Sequence, residues 1–316
     1  MNKIYELQPL DTLFFRGSTP MEAGIMTAIS IFPPPVSVIK GALWTAYCRK
    51  NNKGFSEGLN EDGEIPIEIT GFYIKRSFLN GKSKYYVPAP SIWFYDSDEK
   101  VETSEKFDGK TLCIAKSNSE LFAELGMQMS AGEVVFVSPK EDAKSLANAW
   151  ISVDFIKNPK EKFSCEDVLL EKDILLRENR IGVALDSNKH TIEGKLYSST
   201  HISLQSNISI VISVKSEIDF ESGKMILGGE QRLVVYKKLE EDINIDLKNV
   251  GQYLSLVPIE ATEENLSNLV VSSKLTISAG WDLAKGFHKS TTSWIPAGAV
   301  FNKKIKGCVP LAQKGE

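Results

Sequence analysis

Three consecutive prolines, Pro33-Pro34-Pro35, stand directly before a segment of helical periodicity, and no other stretch restricts the chain so firmly. Proline fixes φ and has no amide hydrogen, so Pro35 cannot lie in a helix interior and the helix must begin after it. Ser37 is a good N-cap residue, and Ile39, Leu43, Ala46 and Tyr47 recur at helical spacing through Val38 to Arg49, which sets the predicted start near Ser37. The first amides of such a helix lack intrahelical partners and carry the positive end of its dipole. Lys40 adds a charge there and Gly41 allows close backbone approach, while Arg16 ends the motif Leu10-Asp-Thr-Leu-Phe-Phe-Arg16 one loop earlier. This outlines an anion site. The same residues describe a capped core helix with a solvated lysine, the commoner case for such a pattern.

At 316 residues the chain has length for two ordinary domains, and 42% hydrophobic with 25% charged residues is the composition of a soluble globular protein. No apolar run approaches the ~18 residues of a membrane span, and the start has no signal-peptide h-region, so the chain reads as cytoplasmic with no membrane partner. Cys48, Cys113, Cys165 and Cys308 stand far apart, which argues against zinc and for reduced, mostly buried thiols. The net charge of −4 speaks against coating long nucleic acid, but its distribution is uneven. Residues 269–316 hold seven lysines against Asp282 and Glu316, and residues 1–56 hold six bases against three acids. Basic ends around an acidic middle suit a short, localised stretch of phosphate.

Lys3 to Leu7 reads as a first strand. Ile65 to Leu79 and Tyr85 to Pro90 flank Asn80-Gly81, a strong hairpin signal. Asp96 to Lys110 is expected to be an exposed polar loop, and Glu141 to Ile151 a helix through Ala143, Leu146, Ala147 and Trp150. From Arg180 onward short β-type runs dominate: 196–204, 208–214, 225–227, 232–236, 253–257 and 293–301, with a short helix over 260–269. Few helices among many strands predict an α+β fold of two ferredoxin-like units, residues 1–160 and 161–316, with the boundary between Ser152 and Asn179.

The chain carries no P-loop, dinucleotide fingerprint, zinc-peptidase or nucleophile-elbow motif, and no cofactor is expected. Asp96-Ser-Asp98 reads as a solvated loop rather than a metal site. Of three histidines, His190 and His288 each adjoin a lysine, where an imidazole can move a proton or bind a phosphate. The segment 178–197 places Arg180, Lys189, His190 and Lys195 along an irregular loop with Gly182 and Gly194, anchored by Ile181, Val183 and Leu185. An exposed hairpin with ordinary surface charges has the same composition. Gly280 to Ser290 mixes Trp281, Phe287 and His288, which suit stacking on unpaired bases, with Lys285 and Lys289, which suit phosphates; a core Trp and Phe beside a surface loop look alike.

Taken in order, Pro9-Leu-Asp-Thr-Leu-Phe-Phe-Arg16, Phe32 to Leu43, Pro88-Ala-Pro90, Asn179 to Asp186 with Glu193 to Tyr197, Leu227-Gly-Gly-Glu-Gln-Arg232, and Ile295 to Phe301 resemble the family of the third subunit of the Cmr complex, the type III-B CRISPR effector, within the RAMP superfamily. The resemblance implies two ferredoxin-like (RRM-like) domains with inserted loops and a thumb-like projection near 180–197, and no nuclease activity. It implies a role in holding the repeat-derived 5′ handle of the crRNA. It further implies contact with the large polymerase-like subunit and the first backbone subunit of the filament, with target RNA met only indirectly. The handle is then expected near Arg16, the Ser37-Lys40-Gly41 helix start, the 180–197 projection and Arg232. Two positions depart from the pattern: Trp44 replaces an arginine common after Gly-Ala-Leu, and a glycine-rich segment beyond Phe301 is not evident. The alternative is a metal-independent endoribonuclease of the same superfamily, with His190 or His288 as general acid or base.

Overall fold

The computed structural model describes residues 2–17, 27–61, 63–97, 99–117, 136–137, 140, 142–247, 251–278, 281–282, 287–288 and 290–312. Its centre is Ile208-Ser-Ile-Val-Ile-Ser-Val214, buried on both faces, Ser209 and Ser213 included. Ile210, Ile212 and Val214 face one core with Tyr5 and Leu7, and Val211 faces a second with Ile4 and Val87. The strand therefore lies inside a sheet covered on both sides. That sheet has eight strands. From one edge to the other they are Val168–Leu169, Trp150–Ser152, β3 (Ser83–Pro88), β2 (Glu68–Ser77), β6 (Ile208–Lys215), β1 (Asn2–Pro9), β8 (Leu233–Leu239) and β7 (Gly223–Ile226). All neighbours pair antiparallel. The architecture is mixed α+β and mostly sheet.

Helix α1 (Val36–Lys50) covers the first face with Ile39, Ala42, Leu43, Trp44 and Cys48. Its cap differs from the sequence expectation. Pro35 takes the N-cap place and no side chain caps the helix, so Ser37 lies exposed in the first turn. Pro35 already has an extended ψ of 135° and its carbonyl accepts from Val38 and Ile39, which leaves a serine cap nothing to add. Trp44 is buried and donates its indole N–H to the Phe55 carbonyl at 2.8 Å, a structural role.

The second face is covered by segments that sequence patterning misjudged. The predicted helix 141–151 is not formed among its described residues, 142–151: Lys144–Ser145 and Trp150–Ser152 are strands, and Asn148 turns the chain at φ 69°. Trp150 and Ile151 gain pairing to Pro88 and Val87 and full burial, which outweighs helical spacing. The 96–110 stretch is no solvated loop either, because Val101, Ser104 and Phe107 are buried and a 3₁₀ turn spans Ser104–Phe107. Asp98 lies outside the described residues. The predicted strand 293–301 is two strands, Thr292–Ile295 and Val300–Phe301, since Pro296 breaks the ladder. The 68–88 hairpin and the short helix Glu263–Ser267 stand as expected. Cys48, Cys113 and Cys308 are buried and Cys165 is exposed. Among the described residues, no helix is long and apolar enough to cross a membrane.

Candidate nucleic-acid interface

The 175–204 region is a regular hairpin rather than an irregular loop. β4 (Leu175–Leu185) and β5 (Thr191–Leu204) pair antiparallel from Leu175 opposite Leu204 to Leu185 opposite Thr191, with a bulge between Val183 and Leu185. Ile181, Val183 and Leu185 do not anchor it, being 75%, 40% and 52% exposed. The root is held by buried Leu175, His201 and Ile202. At the tip, Asp186 accepts from the backbone N–H groups of Asn188 and His190, and its other oxygen is 3.7 Å from the His190 ring. This sets the turn and places Lys189 at φ 65°. Midway, the Tyr197 ring lies over Gly182, where any Cβ would come within 2.2 Å of it.

Three of the sequence motifs meet at the root. Leu13 and Ile202 exchange backbone hydrogen bonds of 2.7 and 2.8 Å, which ties residues 11–16 to β5. On the other side the Gly229 N–H donates to the Phe14 carbonyl at 2.8 Å. Gly228 takes φ 81°, and a Cβ there would meet the same carbonyl at 2.5 Å, so only glycine fits. Phe14 also stacks on the His201 ring, with centroids 5.0 Å apart.

Around this junction lies a charged chain. Arg180 donates to Thr12 Oγ1 at 3.0 Å and faces Glu178 at 3.4 Å. Thr12 Oγ1 is 3.4 Å from His201 Nδ1, and His201 Nε2 is 3.4 Å from Glu230 Oε1. Glu230 accepts from Arg232 at 2.7 Å, and Arg232 pairs on its other side with Asp11. The Thr12 backbone N–H, then the Arg232 and Arg180 charges, hold the Asp11 carboxyl below the usual range. Burial pushes the His201 imidazole down, against the opposing pull of Glu230. A polar groove of about 530 Å³ opens beside the cluster, lined by Gln8, Asp11, Thr12, Glu178, Gln205 and Asn207 among others.

Of the predicted site residues, Arg180 and Arg232 belong to this cluster. Arg16 adjoins it: it bridges Ser30, whose N–H donates to the Thr200 carbonyl, and Thr200 pairs with Asn179. Residues 198–200 also pair in parallel with the strand Thr27–Ile29. Ser30 is in turn held by Arg177, which grips Glu171 through two hydrogen bonds. Ser37, Lys40 and Gly41 follow six to ten residues after Ile31, past the proline turn, and a Cβ on Gly41 would meet nothing within 4 Å. Lys189 and His190 sit at the far tip of the hairpin, and the Lys195 backbone lies on β5. Trp281 and His288 pair across a separate two-stranded ladder, and Lys285 and Lys289 lie outside the described residues. Sequence reasoning missed Thr12, His201, Glu178 and Glu230 as members of the cluster, and Asp11 as the partner of Arg232. Among the described residues no three potential metal ligands gather.

The family model described as CRISPR-associated protein (Cas_Cmr3) matches residues 5–250. No curated protein matches the chain. Among solved structures, a chain in the cryo-EM structure of the type III-B Cmr-beta complex bound to cognate target RNA is similar, with a TM-score of 0.56 and 19% identity over 95% of this chain and 86% of that one. A chain in the same complex with target RNA and AMPPnP gives 0.55 and 18% over the same shares. At these identities the likeness is one of fold.

Proposed function

From the chain's membership of the CRISPR-associated Cas_Cmr3 family, we propose that it is a non-catalytic RNA-binding subunit of a type III-B effector that holds the 5′ handle of the crRNA at the root of the 175–204 hairpin. The observation that carries this reading is the convergence of residues 11–16, 178–201 and 228–232 into one junction, where arginines alternate with carboxylates, beside an open polar groove. Arginines suit the phosphates of a single strand, and the carboxylates and amides of the groove suit the edges of unstacked bases. The acidic net charge fits one part of an assembly whose neighbours complete the positive channel. The proposal includes the large polymerase-like subunit and the first backbone subunit as those neighbours, with target RNA met indirectly. It also includes two ferredoxin-like units, 1–160 and 161–316, fused through the shared sheet. The β2–β3 hairpin on one side and the β7–β8 hairpin on the other, with β6 and β1 between them, support that reading.

Arg180→Ala and Lys40→Ala are each expected to weaken binding of handle RNA by ~1–3 kcal/mol, as loss of charged hydrogen bonds does. Affinity unchanged in both single variants and the double would remove these residues from the site. Binding without cleavage is tested by incubating the purified chain with precursor RNA in EDTA. Intact RNA is expected, and cleavage lost on His190→Ala would establish the nuclease instead.

A further inference from the structure

The junction contains two buried nitrogens without hydrogen-bond partners, His201 Nε2 and Arg232 Nε. Such atoms are rare in folded proteins and call for a reason. The imidazole tautomer is assigned from its hydrogen-bond partners. Thr12 Oγ1 accepts from Arg180 and donates its own hydrogen to His201 Nδ1 in the assignment that uses both of its roles, which puts the ring hydrogen on Nε2. Nε2–H is a fully buried donor aimed at Glu230, at 3.4 Å and out of hydrogen-bond alignment. Arg232 is directed to the same carboxylate, with its side chain 17% exposed against 46% for Glu230. The loop that presents Glu230 is unfavourable in itself, since Glu230 and Gln231 take φ of 56° and 52°, a region that non-glycine residues seldom occupy.

A planar carboxylate thus sits, half in solvent and on a strained loop, before donors it does not satisfy. An RNA backbone phosphate presents its two non-bridging oxygens on a tetrahedral centre, free of the single plane that confines a carboxylate, and charge-assisted bonds from arginine to phosphate are strong. We propose that this is a backbone-phosphate site for RNA in which Glu230 is a built-in stand-in, holding His201 and Arg232 in place until an RNA phosphate displaces it. Glu230 then sets the threshold for RNA binding, and His201 is a ligand of the phosphate. The inference rests on the RNA-binding reading given above and adds an internal competitor to it.

The test compares Glu230→Gln with Glu221→Gln in the full chain. Glu221 pairs with Lys50 on another surface, so its variant carries the same change of charge away from the junction. Handle RNA is titrated at fixed salt against both. Glu230→Gln is expected to tighten binding about fivefold more than Glu221→Gln, the factor that one modest hydrogen bond is worth, and this gain should vanish in an Arg232→Ala background. RNA should also shift the His201 Nε2 resonance of the unaltered protein in nitrogen-15 NMR. Equal affinities for the two glutamine variants, or a resonance that responds to inorganic phosphate and not to RNA, would overturn the proposal. RNA bound by none of the proteins would instead overturn the functional reading beneath it.

Discussion

Asp11 and Arg232 form an ion pair across 221 residues of sequence, and neither signals the other along the chain. That separation explains why the arginines stand out in the sequence as candidates while the carboxylates that hold them do not. His201 was hidden for a different reason: a histidine in a β-type run carries no local mark of burial. Its burial makes a prediction about pH. The folded state keeps the imidazole neutral below its ordinary pKa, whereas the unfolded chain takes up a proton near pH 6.5, so its contribution to stability is present above that value and is lost as pH falls toward the lower folded pKa. The urea midpoint should therefore drop between pH 7 and 5, and His201→Gln should flatten that drop; equal slopes would deny the buried neutral ring. Gly228 makes a second prediction. Gly228→Ala places a Cβ 2.5 Å from a backbone oxygen at positive φ and should cost ~2 kcal/mol or more in urea unfolding, because neither atom can move without parting residues 11–16 from the loop.

At the scale of elements, local chemistry was a good guide wherever it did not compete with pairing. Asn80-Gly81 gave its hairpin, Pro35 the helix start to within a residue, and the run at 208–214 its strand. The 141–151 segment failed because Trp150 fills the first core and Ile151 the second, as strand residues facing opposite ways at positions that also fit a helix. Anchoring of the 178–197 segment was misplaced because apolar alternation marks one face of a hairpin without saying whether that face is covered; here Ile181, Val183 and Leu196 share an exposed face. Replacement of residues 184–195 by Asn-Gly, between the paired Val183 and Leu196, should leave the far-ultraviolet circular dichroism and melting of the body intact, since the root is held by buried Leu175, His201 and Ile202. RNA affinity should fall, and the slope of log affinity against log salt should shrink by about 0.7 for each phosphate that Lys189 or Lys195 meets. An unchanged slope would remove the tip from the interface.

For the whole molecule the decisive feature is that the eight-stranded sheet draws four strands from residues before 160 and four from after, with β6 seated between β1 and β2. Sequence periodicity identifies strands but not their order, because order is set by which edges close the core. Residues 1–160 expressed alone lack β6 and with it Ile210, Ile212 and Val214, so they should show no cooperative melting, while the full chain unfolds in one transition. A folded 1–160 fragment would show that β1, β2 and β3 close a core without it. The account's central claim, that residues brought together at the hairpin root grip one short RNA end, is tested most directly by ultraviolet crosslinking and mass spectrometry of the full chain on handle RNA. It predicts crosslinked peptides from 11–16, 178–201 and 228–232. Crosslinks confined to the small sheet built from Gln252–Ser255, Val300–Phe301 and Cys308–Leu311, or none at all, would contradict it.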